Sequence, residues 1–395
     1  MSESEPSRLP GVTPALIILL AINLRPALTS VGPLIEDIRA STGISVSEAG
    51  VISSLPLVVF GVFAPLAHLQ KRIGAERLVV AALLLLIVGL LVRSFGSALG
   101  LFAGTIVFAA GIAVCNVVVP ALIKRDFPSR IQSMTTVYAF TLGVSAAVAS
   151  GLSAPIAHAL PGGWQTALAI WCAPALVAAY FWGLQIPGPD VATANARSGS
   201  DTQRLPVWHS PVAWFVAAFM GLQSLSFYAA IAWFPSFLLH EGYAPIEAGA
   251  LVTLLQVAGL VSSVGAPQIL KRLANQSSIA CLASAAMVSA LLGMMSMPKM
   301  AVLWMILFGA GVGCSMVLAL AFIGLRSESH GEAASLSVMT QSLGYLLAAV
   351  GPLLLGVSYD HTGGWAVPLA TLAALAVLQA VVGVAAGRAR TLFGS

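Results

Sequence analysis

The sequence predicts an all-α membrane protein of about twelve transmembrane helices, arranged as two parallel six-helix repeats. Three observations predict it. Of the 395 residues, 58% are hydrophobic and only 8% are charged, against about a quarter charged in an average soluble domain. Apolar stretches recur from Val12 to Gly387, each long enough to cross a hydrocarbon core of roughly 30 Å as a helix. The second half of the chain also matches the first at a shift held between 199 and 201 residues.

Residues 1–11, MSESEPSRLPG, are acidic and polar. They lack the basic region and small-residue cleavage site of a secretory signal, so the first apolar segment is expected to stay as a helix. Spans are expected near 12–34, 47–69, 78–95, 99–123, 131–156, 166–186, 210–238, 245–270, 277–297, 300–324, 333–358 and 366–387. Helices are required because backbone groups in lipid must pair within their own segment. The polar interval between Ile186 and Ser210 holds PGPD, an Ala/Thr/Ser/Gly-rich run, Arg197, Asp201 and Arg204. It reads as a linker. The expected organisation is therefore a tail 1–11, a six-helix bundle 12–186, a cytoplasmic linker 187–209, a second bundle 210–387 and a tail 388–395.

With the N-terminus cytoplasmic, that side holds Arg8, Lys71, Arg72, Arg77, Lys124, Arg125, Arg130, Arg197, Arg204, Lys271, Arg272, Arg326, Arg388 and Arg390, fourteen of eighteen basic residues. The other side keeps Arg39, Arg93 and Lys299. This is the positive-inside bias, and it predicts both termini in the cytoplasm. The net charge of +4 comes from these loops and does not suggest nucleic acid. Cys115, Cys172, Cys281 and Cys314 fall in apolar spans without metal-ligand spacing. They read as small buried hydrophobes, with no disulfide, metal or cofactor.

The repeat places Glu48-Ala49-Gly50 on Glu247-Ala248-Gly249, Lys71-Arg72 on Lys271-Arg272, Ala110-Gly111 on Ala310-Gly311 and Gly162-Gly163-Trp164 on Gly363-Gly364-Trp365. Two parallel repeats with a substrate site between them near the midplane is a transporter arrangement.

Arg25 is the one charge that the pattern puts in a span interior. A charge there costs several kcal/mol unless it is paired or faces a wet cavity. All fourteen carboxylates and all six histidines fall at span ends or in loops. Two readings follow: a substrate anion completes Arg25, or helix-end carbonyls and amides satisfy it and it holds the repeats together. Asn23 and Gln223, 200 apart, occupy equivalent positions, and each amide both donates and accepts. Ser224 and Tyr228 share a helical face, as do Gln341 and Tyr345. Asn116 and Tyr138 complete the candidate substrate-binding set, with Thr29, Ser30, Gln256 and Ser263 as weaker members. Each of these also reads as interhelical glue, worth about 0.6 kcal/mol. Among the span prolines, Pro26 stands next to Arg25 and is the one expected to matter for function.

The strings NLRPALTSVGPLI, GLQSLSFYAAIAWFP, NVVVPALIKRDFP and SLSVMTQSLGYLLAAVGPLLLG resemble the cyanate and 2-nitroimidazole permease (CynX/NimT-like) family of the major facilitator superfamily. The similarity covers nearly the whole chain. It implies the major facilitator fold, a bacterial inner-membrane location and movement of a small polar or anionic solute (cyanate-like, carboxylate or nitroheteroaromatic) by alternating access. It also implies that the first and fourth helices of each repeat line the path. In one place the sequence departs from the superfamily. The loop after span 2 typically reads G-x-x-x-D-R-x-G-R, and here Ala67, Lys71, Arg72, Ile73, Gly74 and Ala75 occupy it, with Lys71 at the Asp position.

Three function classes are compatible with a helical membrane protein of this composition. A secondary transporter accounts for the repeat and the midplane arginine, and no Gly-x4-Gly-Lys-Ser/Thr motif is present. An intramembrane enzyme would need paired carboxylates, a metal cluster or a nucleophile with its base at depth. A non-transporting receptor or a passive channel fits the composition, and the repeat argues against it. Within the transporter class the alternative is efflux of a drug or xenobiotic. The expected partners are a small polar or anionic solute and the lipid bilayer, with the protein a monomer. Energy coupling through a span-edge residue such as Glu36, Asp37 or Asp126, exchange, and facilitated diffusion all stay open.

Overall fold

A computed structural model describes residues 12–63, 73–186, 207–270, 276–388 and 392, with backbone alone for 267–270, 330 and 334. Expectations on 1–11, the loop after span 2, the linker up to 206 and the pair Lys271-Arg272 lie outside the described residues. Twelve helical spans are present: Pro14–Thr42, Val46–Phe63, Ala75–Arg93, Ala98–Asp126, Ile131–Ala159, Gly163–Gly183, Pro211–His240, Pro245–Ala266, Gln276–Ser296, Pro298–Leu325, Gly331–Thr362 and Ala366–Gly387. They are numbered spans 1 to 12 below. No strand occurs among the described residues.

The repeat is visible in local chemistry. Span 1 ends on Gly43 (φ 72°) and span 7 runs into Gly242 (φ 90°), left-handed positions that favour glycine. The next span then opens with the same device in both halves. Glu48 Oε2 accepts from the Ser45 N–H at 2.7 Å, and Glu247 Oε2 accepts from the Ala244 N–H at 3.1 Å, each the carboxylate half of a capping box. In spans 4 and 10, Gly111 and Gly311 lie so close to spans 3 and 9 that an added Cβ would stand 2.4 Å from the Ala82 carbonyl oxygen and 2.6 Å from that of Ala283.

The two halves meet along two seams. Span 2 meets span 11: the Ser47 N–H and hydroxyl both donate to Asp360, and the Leu353 N–H donates to Ser54 Oγ at 3.2 Å. Span 5 meets span 8: Thr253 Oγ1 donates to the Ala147 carbonyl at 3.0 Å, and Gln256 Nε2 donates to Ser150 Oγ at 2.7 Å. Chain direction puts both seams in the half of the bundle away from the chain termini. Here that half is called the far side.

Several details differ from the sequence reading. Span 1 runs on to Thr42 instead of stopping at residue 34, with a break at Arg25 and a 3-10 turn at Gly32–Leu34. Pro26 and Pro33 lack the N–H that would continue the ladder. Cys281 is exposed on the outer surface and Cys314 is half-buried, so only Cys115 and Cys172 are buried thiols. Apolar faces of spans point to lipid as readily as to the core, so hydrophobicity alone does not place a cysteine inside. Arg93 is 1% exposed, turned inward from the end of span 3 instead of out to water. Residues 207–209 form a 3-10 turn with Val207 buried. In the C-terminal tail Leu392 is docked, its N–H donating to the Arg326 carbonyl and its own carbonyl accepting from Ser210 Oγ.

Candidate functional site

The break in span 1 sets the site. Pro14–Leu24 ends at Arg25 and Pro26–Thr29 resumes the helix, because Pro26 has no N–H for a bond back to Ile22. The guanidinium of Arg25 leaves the helix at this interruption, and its Nη1 donates to Tyr228 Oη of span 7 at 2.6 Å. That bond ties one half to the other at mid-bundle.

Below it opens a cavity of about 630 Å³. Its polar lining comprises Arg25 and Thr29 of span 1, Thr135 and Thr136 of span 5, Gln223, Ser224 and Tyr228 of span 7, Gln256 and Ser263 of span 8, and Gln341 and Tyr345 of span 11. The walls are otherwise apolar, with Phe140, Met220, Phe227 and Met316 the largest contributors alongside Leu and Val side chains. No carboxylate is among the lining residues. The lining stretches of spans 5, 8 and 10 lie toward the ends that face the chain termini, opposite both seams. The cavity therefore opens on the terminus side and is closed on the far side.

Six of the nine candidates are thus brought together: Arg25, Gln223, Ser224, Tyr228, Gln341 and Tyr345. Gln223 is 2% exposed, and its Nε2 donates to Ser224 Oγ at 2.7 Å and approaches Met316 Sδ at 3.2 Å. Tyr345 packs edge-on against Phe60 with ring centroids 5.7 Å apart. Gln341 Nε2 reaches Ser337 Oγ at 3.3 Å, an exposed contact.

Asn23, Asn116 and Tyr138 do not line the cavity. Asn23 Nδ2 donates to the Leu19 carbonyl at 2.7 Å, one turn back on its own helix. Two residues apart on a helix means nearly opposite faces, so Asn23 and Arg25 do not point the same way. Tyr138 is buried behind the lining, in a cluster that also takes in Tyr228 and Tyr345, and lies close enough to Arg25 to interact with it electrostatically. Asn116 sits in span 4, which contributes nothing to this cavity. The lining comes from spans 1, 5, 7, 8, 10 and 11, so the expectation that the fourth helix of each half lines the path holds here for span 10 alone. Of the weaker candidates, Thr29, Gln256 and Ser263 line the cavity and Ser30 does not. The sequence reading missed Thr135 and Thr136, as well as the aromatic and methionine walls. Nothing in sequence separates such residues from lipid-facing ones.

Three span-edge carboxylates, Glu36, Glu76 and Asp126, are engaged by arginines. Glu36 pairs with Arg39 at 2.7 Å, and Arg125 holds both Glu76 at 2.6 Å and Asp126 at 2.8 Å. A second polar cluster inside the C-terminal half, Gln379 with Ser284 at 3.1 Å and Ser315 at 3.0 Å, lies away from the cavity and reads as interhelical glue.

Residues 17–349 match the Major Facilitator Superfamily. The 2-nitroimidazole transporter of Escherichia coli (strain K12) is 40% identical over 374 residues, spanning 94% of this chain and 94% of that protein. The cyanate transport protein CynX of the same organism is 28% identical over 357 residues, 88% of this chain and 90% of that one. Among solved structures, a D-xylose-proton symporter superposes with a TM-score of 0.78, covering 96% of this chain and 99% of that chain at 14% identity. This is a likeness of fold alone. The chain is a multi-pass membrane transporter and not an enzyme. It belongs to the major facilitator superfamily, within the cyanate and 2-nitroimidazole permease family.

Proposed function

We propose that this transporter moves a small amphipathic solute bearing an anionic or strongly electronegative group, with Arg25 reading that group at the roof of the cavity. The observation that carries the reading is the charge balance at Arg25. A guanidinium stays protonated under physiological conditions, so burial cannot neutralise it. Its cross-half partner is a neutral phenol, and no carboxylate lines the cavity. A carboxylate, cyanate or nitro group would supply acceptors, and an anion would also supply the countercharge. The walls of Phe140, Phe227, Met220 and Met316 suit the apolar body of a planar ring.

With both termini cytoplasmic, as the loop charges argue, and the protein in a bacterial inner membrane, as the family implies, the cavity faces the cytoplasm. Transport then proceeds by closing this mouth and parting the two far-side seams around the site. The apolar walls also favour a second reading, export of a heteroaromatic xenobiotic through the same cavity. The names of the 2-nitroimidazole and cyanate relatives are compatible with either cargo type.

The test is a thermal-shift screen of purified protein against small carboxylates, cyanate and nitroheteroaromatics, since a ligand of the folded state raises apparent stability. Binding and proteoliposome uptake of the hit are then measured for Arg25→Lys and Arg25→Gln. Lys keeps the charge and loses the planar fork. Gln keeps some hydrogen bonding and loses the charge. For an anionic cargo the expected loss is graded, Lys milder than Gln, with Gln losing roughly the 1.5–3 kcal/mol of a hydrogen bond to a charged group. Wild-type binding and transport by folded Arg25→Gln protein would make Arg25 structural and sink the anion reading.

A further inference from the structure

Beyond Tyr228, on the far side of the main cavity, lies a second and much smaller space of about 30 Å³. Thr29 and Tyr228 line both spaces and form the partition between them. The small space is otherwise bounded by span 1 from Leu28 to Gly32, by Ile52, Ser53 and Pro56 of span 2, by Arg93, Thr105 and Phe108 of spans 3 and 4, and by span 7 at Ile231 and Ala232. None of these is a carboxylate.

Arg93, like Arg25, is enclosed with neutral partners. It is 1% exposed. Its Nη1 donates to the Ala27 carbonyl at 2.6 Å, its Nη2 reaches Ser30 Oγ at 3.5 Å, and its guanidinium carbon stands 4.7 Å over the Phe108 ring. All of these partners are neutral. Its Nε has no partner, and neither does Thr105 Oγ1, itself 1% exposed. Two buried polar groups that are left unsatisfied, one of them on a permanent cation, cost free energy that the surroundings do not return. A volume of about 30 Å³ exceeds what one water needs. Water would supply hydrogen-bonding atoms and leave the charge uncompensated, whereas an anion supplies both.

We propose that this space is a binding site for a compact monovalent anion of halide size, held by the Arg93 guanidinium and the Thr105 hydroxyl. The site is separate from the cargo cavity. Its occupancy does not depend on what Arg25 reads, and failure of either idea leaves the other standing. The anion neutralises Arg93 while the far side is closed. Parting of span 7 from spans 1 to 4, as the two far-side seams open, would release it.

The test uses full-length protein purified without cargo in a gluconate buffer, titrated with sodium bromide at constant ionic strength. Thermal midpoint is followed for wild type, Thr105→Val and Arg93→Lys. Thr105→Val is nearly isosteric and removes only the hydroxyl. Wild type is expected to gain stability saturably with bromide, and Thr105→Val to need about tenfold more bromide for half the effect. Crystals grown in bromide should show anomalous density between Arg93 and Thr105. Arg93→Lys serves as a second variant, in which the response should weaken if the protein folds. Absence of a saturable response in wild type, an equal response in Thr105→Val, or bromide density only elsewhere would each overturn the proposal and leave Arg93 a structural peg for span 1.

Discussion

The hydroxyl of Tyr228 is a neutral acceptor for a permanent cation, and a cargo anion would compete with it for the same guanidinium. Tyr228→Phe removes that acceptor at constant ring volume. The cargo-free protein should then lose thermal stability, because a hydrogen bond to a charged group is worth roughly 1.5–3 kcal/mol. A cargo that brings its own acceptors should restore the difference. The ligand-induced rise in thermal midpoint is therefore expected to be larger in Tyr228→Phe than in wild type. A smaller rise would mean that the Tyr228 hydroxyl itself contacts the cargo. Residue by residue, what could be read from sequence was set by spacing. Arg25 stood out because a charge interrupts an apolar run, and Ser224 with Tyr228, and Gln341 with Tyr345, stood out because four residues is about one turn. Asn23 misled because its repeat partner Gln223 faces the cavity while its own helix breaks two residues later. Arg93 was unreadable: it falls at a span end, where water is the ordinary partner, and its burial depends on the Ala27 carbonyl beyond the kink in span 1.

Helix against helix, the bundle is held by backbones in near contact more than by side-chain polarity. A Cβ built on Gly104 would meet the Arg93 nitrogen at 2.4 Å and the Gly89 carbonyl oxygen at 2.5 Å, so spans 3 and 4 approach each other through small residues. Both nearest atoms are main chain, and neither can swing aside. Gly104→Ala is expected to lower stability by about 1–3 kcal/mol and to disturb the Arg93 pocket. Gly324 has open space around the same position. Gly324→Ala should be neutral or slightly stabilising, because alanine is the better helix former. Thermal midpoints of the two variants in one detergent check the pair, and equal midpoints would remove the packing argument. Span number and most boundaries were legible because twenty-residue apolar runs admit few alternatives. The extension of span 1 to Thr42 was not, since Glu36, Asp37 and Arg39 in its last turns resemble a loop. Glu36 and Arg39 are accommodated there by a surface ion pair with each other.

For the whole molecule, the two far-side seams define the conformational state, and glycines let them close. A Cβ on Gly50 would stand 2.8 Å from the Pro352 carbonyl oxygen, and one on Gly356 would stand 2.9 Å from that of Val46. Gly50→Val should therefore wedge spans 2 and 11 apart and favour the state open on the far side. Labelling of a single cysteine placed at Ile52, in a background with the native cysteines replaced, should become faster in that variant. Unchanged labelling would mean that this seam does not close the path. The doubled architecture was readable from matched dipeptides at a constant offset. The conformational state was not, because it depends on contacts between residues about 100 to 310 positions apart, such as Ser47 with Asp360, which no local pattern records.

The two seams are unlike in a way that bears on how the far side parts. At spans 5 and 8 the ties are Thr253 to a carbonyl and Gln256 to Ser150, the latter buried. At spans 2 and 11 the tie is an exposed carboxylate, Asp360, clasping the first turn of span 2. Its counterpart by the repeat is the apolar end of span 5 around Ala159 and Leu160, which has no carboxylate to offer. Water can replace the exposed clasp at little cost, whereas breaking the buried tie leaves the Ser150 hydroxyl, 0% exposed, without its amide partner. The far side then behaves like a door hung along spans 5 and 8 and latched along spans 2 and 11, and its swing begins at the wet edge.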